Sequence, residues 1–178
     1  MTGSSVSIRS LCAEEAHAQN RALCSVLMDC VEGGASVGFM APLSQARAQA
    51  FWTLVADDVA AGKRMLFIAE NSATKDMLGT VHLVLAQPDN QAHRADISKM
   101  LVLRKARRRG IGALLMQAAE EAARQRGKTL LVLDTVTGGD AERLYARLGW
   151  KKVGIIPDFA LWPDGRPCAT TFFYKQLA

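Results

Sequence analysis

Residues 101–112 read LVLRKARRRGIG, an apolar strand that breaks into a basic glycine turn and then opens a helix. Gly110 and Gly112 stand one residue apart. They let the backbone turn tightly and leave its N–H groups uncovered just where a helix presents its positive dipole end. A pyrophosphate-like anion is the natural occupant of such a turn.

The charge distribution supports this reading. Arg104, Lys105, Arg107, Arg108 and Arg109 are five of the 22 basic residues, and the other 17 are matched by 17 acidic ones, so the net charge of +5 is concentrated in this turn. A nucleic-acid binder spreads Lys and Arg over a face and interleaves aromatics. A small phosphorylated ligand therefore fits better than DNA or RNA.

A chain of 178 residues with 49% hydrophobic content is expected to form a single domain spanning residues 1–178 and to bury roughly 70% of the surface its unfolded form exposes. The opening MTGSSVSIRS carries no apolar core of signal-peptide length. No later segment approaches the roughly 18 apolar residues that span a bilayer. A cytoplasmic protein with no membrane partner is expected. Cys12, Cys24, Cys30 and Cys168 form no CxxC pair, and His17, His82 and His93 supply no zinc spacing, so no metal is expected.

Along the chain, residues 6–9 alternate as a first strand would, and Leu23, Val26, Leu27, Cys30 and Val31 fall on one helical face before Gly33. Residues 32–42 break both periods. Ser44 then caps a second helix carrying Phe51, Leu54, Val55 and Val59 up to Gly62. Residues 65–70, 78–86 and 95–103 predict a three-stranded meander.

From Gly110 a third helix carries Ile111, Leu114, Leu115, Ala118, Ala119 and Ala122 and ends near Gly127. Residues 129–134 read as a buried strand. Asp140 caps a short helix with Ala141, Leu144, Tyr145 and Leu148, which Gly149 stops. Residues 152–156 and 169–175 supply two last strands around a loop at 157–167 that holds Trp162.

This order of elements, with Arg107-x-x-Gly110-x-Gly112 opening the third helix and Ala141-Glu-Arg-Leu-Tyr-Ala-Arg-Leu-Gly-Trp150 following later, resembles the GNAT acyltransferase superfamily. From Gly33 onward the chain is similar to tabtoxin-resistance-type acetyltransferases, through GGASVGFM at 33–40, RADISKMLVL at 94–103, LDT at 133–135 and PDGR at 163–166. Two positions depart from the pattern. Gly138 stands where many members carry a cofactor-contacting Asn, and Asp96 stands where tabtoxin-resistance sequences carry a Glu.

The resemblance implies a mixed α/β fold in one domain: a mostly antiparallel sheet of about seven strands flanked by four helices. It also implies acetyl-CoA as co-substrate, held by the backbone and side chains of Arg107, Arg108, Arg109, Gly110, Ile111, Gly112 and Ala113, with Leu101, Val102 and Leu103 pairing with the pantetheine arm. Val102 or Leu103 would donate the N–H that polarises the thioester. Arg104 and Lys105, outside the glycine spacing, read equally as a solvated turn.

Acyl transfer to an amine requires a proton acceptor, because an alkyl ammonium titrates near 10.4, as Lys does. Asp134 ends an apolar strand and Asp96 begins another, so partial burial of either would raise its pKa toward a working range. Asp134 also fits a turn carboxylate, and Asp96 a salt bridge to Arg94 or Lys99. Tyr145 suits protonation of a departing thiolate or plain core packing. His82 and His93 lack a triad partner and read as structural or surface residues.

No cysteine has a setting that lowers its pKa, which favours direct attack in a ternary complex. Phe39 and Trp162, from the loops at 33–42 and 157–167, are candidate acceptor-site residues. The resemblance implies N-acetylation of a primary amine on a small molecule, for instance an amino-acid-like antimetabolite such as tabtoxinine-β-lactam. A homodimer is compatible with the chain. A protein or peptide N-acetyltransferase, and a non-catalytic CoA-sensing or nucleic-acid-binding module, remain as alternatives.

Overall fold

The computed structural model describes residues 5–177. It contains β1 (Val6–Leu11), α1 (Ala13–Ala18), α2 (Asn20–Glu32), α3 (Gln45–Ala60), β2 (Arg64–Asn71), β3 (Met77–Val84), β4 (Arg94–Val102), α4 (Ile111–Gln125), β5 (Leu130–Val136), α5 (Asp140–Arg147), β6 (Lys151–Leu161) and β7 (Pro167–Gln176). The seven strands form one sheet in the order β1-β2-β3-β4-β5-β7-β6, antiparallel throughout except for the β4·β5 pair.

The sheet separates two apolar cores. On one face Ile111, Leu115, Met116, Ala119 and Ala123 of α4 cover Ala95, Ile97, Leu131, Leu133 and Phe173. On the other, Leu23, Leu27 and Val31 of α2 and Trp52 and Val55 of α3 cover Leu66, Ile68 and Leu101. The alternation along β4 and β5 assigns each residue to its face. No helix among the described residues is long and apolar enough to cross a membrane.

Five helices flank the sheet rather than the four expected. The extra one is α1, whose only buried residue is Ala16, so it has almost no apolar stripe to read. It is held instead by its start, where Glu15 reaches back to accept the Cys12 N–H at 2.9 Å. Ser44 caps α3 as expected, accepting from Arg47 N–H at 3.3 Å. Leu54, counted on the apolar face, is 65% exposed. Gly139, not Asp140, is the N-cap of α5, and Asp140 lies in the first turn.

The expected loop at 157–167 is mostly strand. β6 runs through Pro157 to Leu161 because it is the sheet edge, where a missing N–H costs no ladder bond, and a register shift between Ile156 and Ala160 absorbs Asp158 at φ +51°. Only residues 162–166 remain as a turn. Five large apolar side chains of β6, Val153, Ile155, Ile156, Phe159 and Leu161, are exposed on this edge.

Candidate active site

The site begins with a short strand pairing. β4 and β5 are registered only at Arg94↔Leu130, Ala95↔Leu131 and Asp96↔Val132. Beyond these pairs β5 follows β7 to Val136, while β4 follows β3 to Val102. The strands therefore splay. A cavity of about 400 Å³ opens there, lined by Val84, Arg94, Asp96, Ser98, Asp134 and Phe172 among others.

A bulge in β4 helps set the splay. The β3·β4 register shifts between Thr80 and His82, and Lys99 opposite the shift has φ +48°, the left-handed region that non-glycine residues rarely adopt. Thr80 Oγ1 donates to the Lys99 carbonyl at 3.0 Å. Gly79 is required beside it, because a Cβ there would stand 2.5 Å from the Leu101 carbonyl oxygen.

At the end of β4 the chain enters the basic turn. Arg104 ties this turn to α2: its backbone N–H donates to Asp29 Oδ2 at 2.8 Å and its Nε to Oδ1 at 2.9 Å. Arg104 is thus a structural clamp. Arg107 Nε donates to the Val102 carbonyl at 3.1 Å, which folds the turn back on the strand. Arg108 is at φ +62° and Gly110 at φ +77°, so the turn is two left-handed steps leading into α4.

Leu114 N–H donates to the carbonyl of the N-cap Gly110 at 3.2 Å, so the N–H groups of Ile111, Gly112 and Ala113 precede the first helical acceptor and face outward toward an anion. Gly112 permits close packing at this point. A Cβ there would meet Leu144 Cδ2 at 2.9 Å and Met100 Sδ at 3.4 Å. Arg108 Nη2 lies 3.2 Å from both Asp140 oxygens on an exposed rim. The turn therefore fits a pyrophosphate, with Arg108 to Ala113 around it.

One expectation is corrected here. The Leu103 N–H already donates to the Leu78 carbonyl at 2.9 Å, so it is not free to polarise a thioester. Val102 remains as the candidate donor.

The two carboxylates differ. Asp96 is paired with Arg94 Nη1 through Oδ1 and accepts from Gln87 Nε2 through Oδ2 at 3.0 Å, so both oxygens are engaged. Of the two salt-bridge partners considered, Arg94 is the one it meets. Asp134 accepts no side-chain hydrogen bond and forms no salt bridge among the described residues. Burial pushes its carboxyl above the usual range, Lys99 opposes that shift and Asp96 adds to it. Asp134 is exposed as a residue, because it faces the open cleft. Its carboxyl is nonetheless desolvated by the cleft walls.

Tyr145 lies in the core, the packing role open to it in the sequence. Its ring packs against Trp150 and Phe173, with centroids 6.1 Å away in each case. Burial first, and the nearby Asp134 charge second, push its phenol well above the ordinary value, so it stays protonated. Its hydroxyl makes no hydrogen bond to a described residue.

The loop at 33–42 and the turn at 162–166 meet. Ala41 N–H donates to the Pro163 carbonyl at 3.0 Å and Ser36 Oγ to the Leu161 carbonyl at 2.7 Å. Phe39 packs edge-on against Phe51 at 5.2 Å. Trp162 forms no ring contact; its backbone closes the turn by bonds to Arg166 and Gly165. His82 is fully buried and its Nδ1 accepts from Arg64 Nη1 at 2.9 Å. Burial, then Arg64 and Lys99, hold it well below the usual range, which fits its structural reading. Lys99, read from the sequence only as a salt-bridge partner for Asp96, does not meet that carboxylate, although a lysine inside the apolar stretch Ile97-Ser-Lys-Met-Leu101 is a signal of a further role.

Gly138, which replaces the usual Asn, is at φ +80°, and its backbone is engaged by Glu142 and Arg143. The described residues hold no cluster of His, Cys, Asp and Glu suited to a metal.

The Acetyltransferase (GNAT) family model matches residues 21–150. Three solved structures superpose on nearly the whole chain. An N-acetyltransferase from Staphylococcus aureus Mu50 is 18% identical with a TM-score of 0.80, covering 98% of this chain and 100% of its own. A ribosomal-protein-alanine N-acetyltransferase from Brucella melitensis is 21% identical with a TM-score of 0.79, covering 96% and 99%. A phosphinothricin acetyltransferase from Sinorhizobium meliloti, in complex with acetyl-CoA, is 16% identical with a TM-score of 0.80, covering 97% and 89%. With the splayed β4·β5 pair and the glycine turn before α4, the match over residues 21–150 identifies the chain as a member of the GNAT acetyltransferase family, an acetyl-CoA-dependent N-acetyltransferase.

Proposed function

We propose that the chain transfers an acetyl group to a primary amine of a small molecule by direct attack in a ternary complex. Asp134 takes the proton from the amine and Tyr145 supplies one to the departing sulfur. The observation that carries this reading is the contrast between the carboxylates: Asp96 has both oxygens occupied, whereas Asp134 is unpaired, desolvated and on the cleft.

Bound acetyl-CoA supplies an acyl thioester. The acceptor reacts as its neutral amine: as the N–C bond forms and the C–S bond breaks, its one departing proton goes to Asp134 and sulfur takes one from Tyr145, which its burial keeps neutral, the phenolate then recovering a proton as Asp134 gives its own up. The free N–H groups at the start of α4 and the Arg108 side chain hold the pyrophosphate, and Val102 donates to the thioester carbonyl. No cysteine is needed as an acyl carrier, since burial pushes Cys24 and Cys30 up, away from the thiolate form.

A small acceptor is favoured by the two loops that join through Ser36 to Leu161 and Ala41 to Pro163, the first of which passes Lys99 Nζ at Gly38. The likeness to tabtoxin-resistance-type sequences and the phosphinothricin acetyltransferase neighbour support an amino-acid-like antimetabolite as one such acceptor.

The test is free-thiol release from acetyl-CoA against small amines, amino acids, β-lactam toxin analogues and peptides. Release on small acceptors with intersecting initial-velocity lines is expected; release on peptides alone would overturn the reading. In the same assay Tyr145→Phe lowers kcat about a hundredfold with both KM values retained. An unchanged kcat would reduce Tyr145 to core packing.

A further inference from the structure

Lys99 has no part in the proton transfers above, yet the fold strains to place it. Its left-handed backbone at the β4 bulge breaks the alternation of the strand. Ala95 and Ile97 lie in the core under α4, while Asp96 and Ser98 line the cavity on the opposite face. Lys99 extends toward the loop at 33–42. Its Nζ stands 5.8 Å from the Phe51 ring centroid and 3.7 Å from where a Cβ on Gly38 would lie.

This ammonium forms no hydrogen bond and no salt bridge among the described residues. Other charges around it are already accounted for. Arg64 is paired with Asp58 at 2.8 Å, and His82, stacked on Phe51 at 6.3 Å, is neutral. Lys99 and Asp134 are too far apart to close a salt bridge, yet each feels the other's charge. Burial, with Arg64 adding and Asp134 opposing, pushes the Lys99 ammonium below its ordinary range, a cost that an incoming anion would offset.

Lys99 stands unpaired one residue beyond Ser98, which lines the cavity together with Asp134, and two opposite charges so placed without neutralising each other match a zwitterion. We infer that Lys99 binds the carboxylate of the acceptor while Asp134 receives its amine, so that the acceptor is an α-amino acid or an analogue with both groups on one carbon. This rests on the acetyl-transfer reading above and adds to it the acceptor's second contact. Phe51, with Phe39 edge-on against it, offers apolar surface beside the ammonium for the acceptor's side chain.

The experiment compares common L-amino acids with their amides, which keep the amine and lose the carboxylate, in the wild type and in Lys99→Met and Lys99→Arg. Loss of one charge-assisted contact corresponds to about a tenfold to hundredfold change. Wild-type kcat/KM is expected to be higher for acids than amides by that factor. Assayed on the pH plateau above the Asp134 limb, Lys99→Met should raise KM for acids by a similar factor with kcat and the acetyl-CoA KM retained, and should erase the preference. Lys99→Arg should restore part of it.

Equal turnover of acids and amides by the wild type would overturn the inference and leave the acetyltransferase reading standing. So would a Lys99→Met variant that lowers kcat for acids and amides alike. No thiol release on any amine would overturn both.

Discussion

Asp134→Asn is expected to lower kcat/KM by about a hundredfold to ten-thousandfold while leaving acetyl-CoA binding intact. The change removes the one cleft carboxylate whose oxygens are not already taken by side-chain partners, and Asp96, held by Arg94 and Gln87, has no free oxygen with which to substitute. A double variant that also carries Asp96→Asn should lose little more activity. If instead Asp96→Asn alone produced the large loss, the assignment of the base would be reversed.

The pH profile gives an independent check. The rate requires ionised Asp134, so kcat/KM rises with pH through its pKa. Burial lifts that pKa above the usual carboxylate range of roughly 3.9, and the ascending limb is therefore displaced upward. Asp134→Asn should abolish the limb. Lys99→Met should move it higher still, because Lys99 holds the Asp134 pKa down.

Stability should move in the opposite sense to activity. A carboxyl whose pKa is raised on folding makes the ionised form a burden to the folded state at neutral pH, and the burden fades as pH falls through the folded pKa toward the unfolded one. The Asn variant should therefore melt no lower than the wild type.

Glu120→Ala should have the reverse signature, a large loss of stability with the chemistry intact. Glu120 lies 5% exposed on α4; its Oε1 accepts from Trp150 Nε1 at 2.9 Å and its Oε2 from Lys175 Nζ at 2.7 Å. Lys175 also donates to the Leu148 carbonyl at 2.8 Å. One side chain thus fastens α4, the end of α5 and β7. Its removal leaves a half-buried ammonium and a buried indole N–H without their carboxylate, which costs about 3–5 kcal/mol. For a domain of this size that is a drop in Tm of roughly 6–20 °C. Thermal melts by circular dichroism would show it, with activity retained at low temperature. A fall of only a degree or two would mean that water replaces the carboxylate at little cost.

The sequence disclosed the parts of the structure that rest on local rules. Gly110 and Gly112 forecast the turn before α4, and the spacing of Ile111, Leu115, Ala119 and Ala122 forecast its buried face. The antiparallel run of β2, β3 and β4 followed from strand composition. What escaped depends on long-range geometry. The continuation of β6 past Pro157 follows from its place at the sheet edge, a property of the assembled sheet and not of the segment. α1 carries capping chemistry without an apolar stripe.

The same division runs through the site. Asp134 could be read as the polar end of an apolar strand. That Asp96 pairs with Arg94 was one of the two readings open to it; that Gln87 takes its other oxygen could not be read, because Gln87 reaches it from the far side of a short 3-10 turn at Asp89–Gln91. Lys99 is placed by a bulge whose position depends on the partner strand, and Leu103 loses its donor role to a carbonyl on β3.

The pairing of β4 with β5 over only three residues has a mechanical consequence. Every strand before it, β1 to β4, comes from the first part of the chain, and every strand beyond it, β5, β7 and β6, from the last, so the sheet is two sequence-contiguous leaves joined along one short seam and bridged by α4. A small tilt of one leaf against the other changes the width of the cleft while every ladder inside each leaf stays intact.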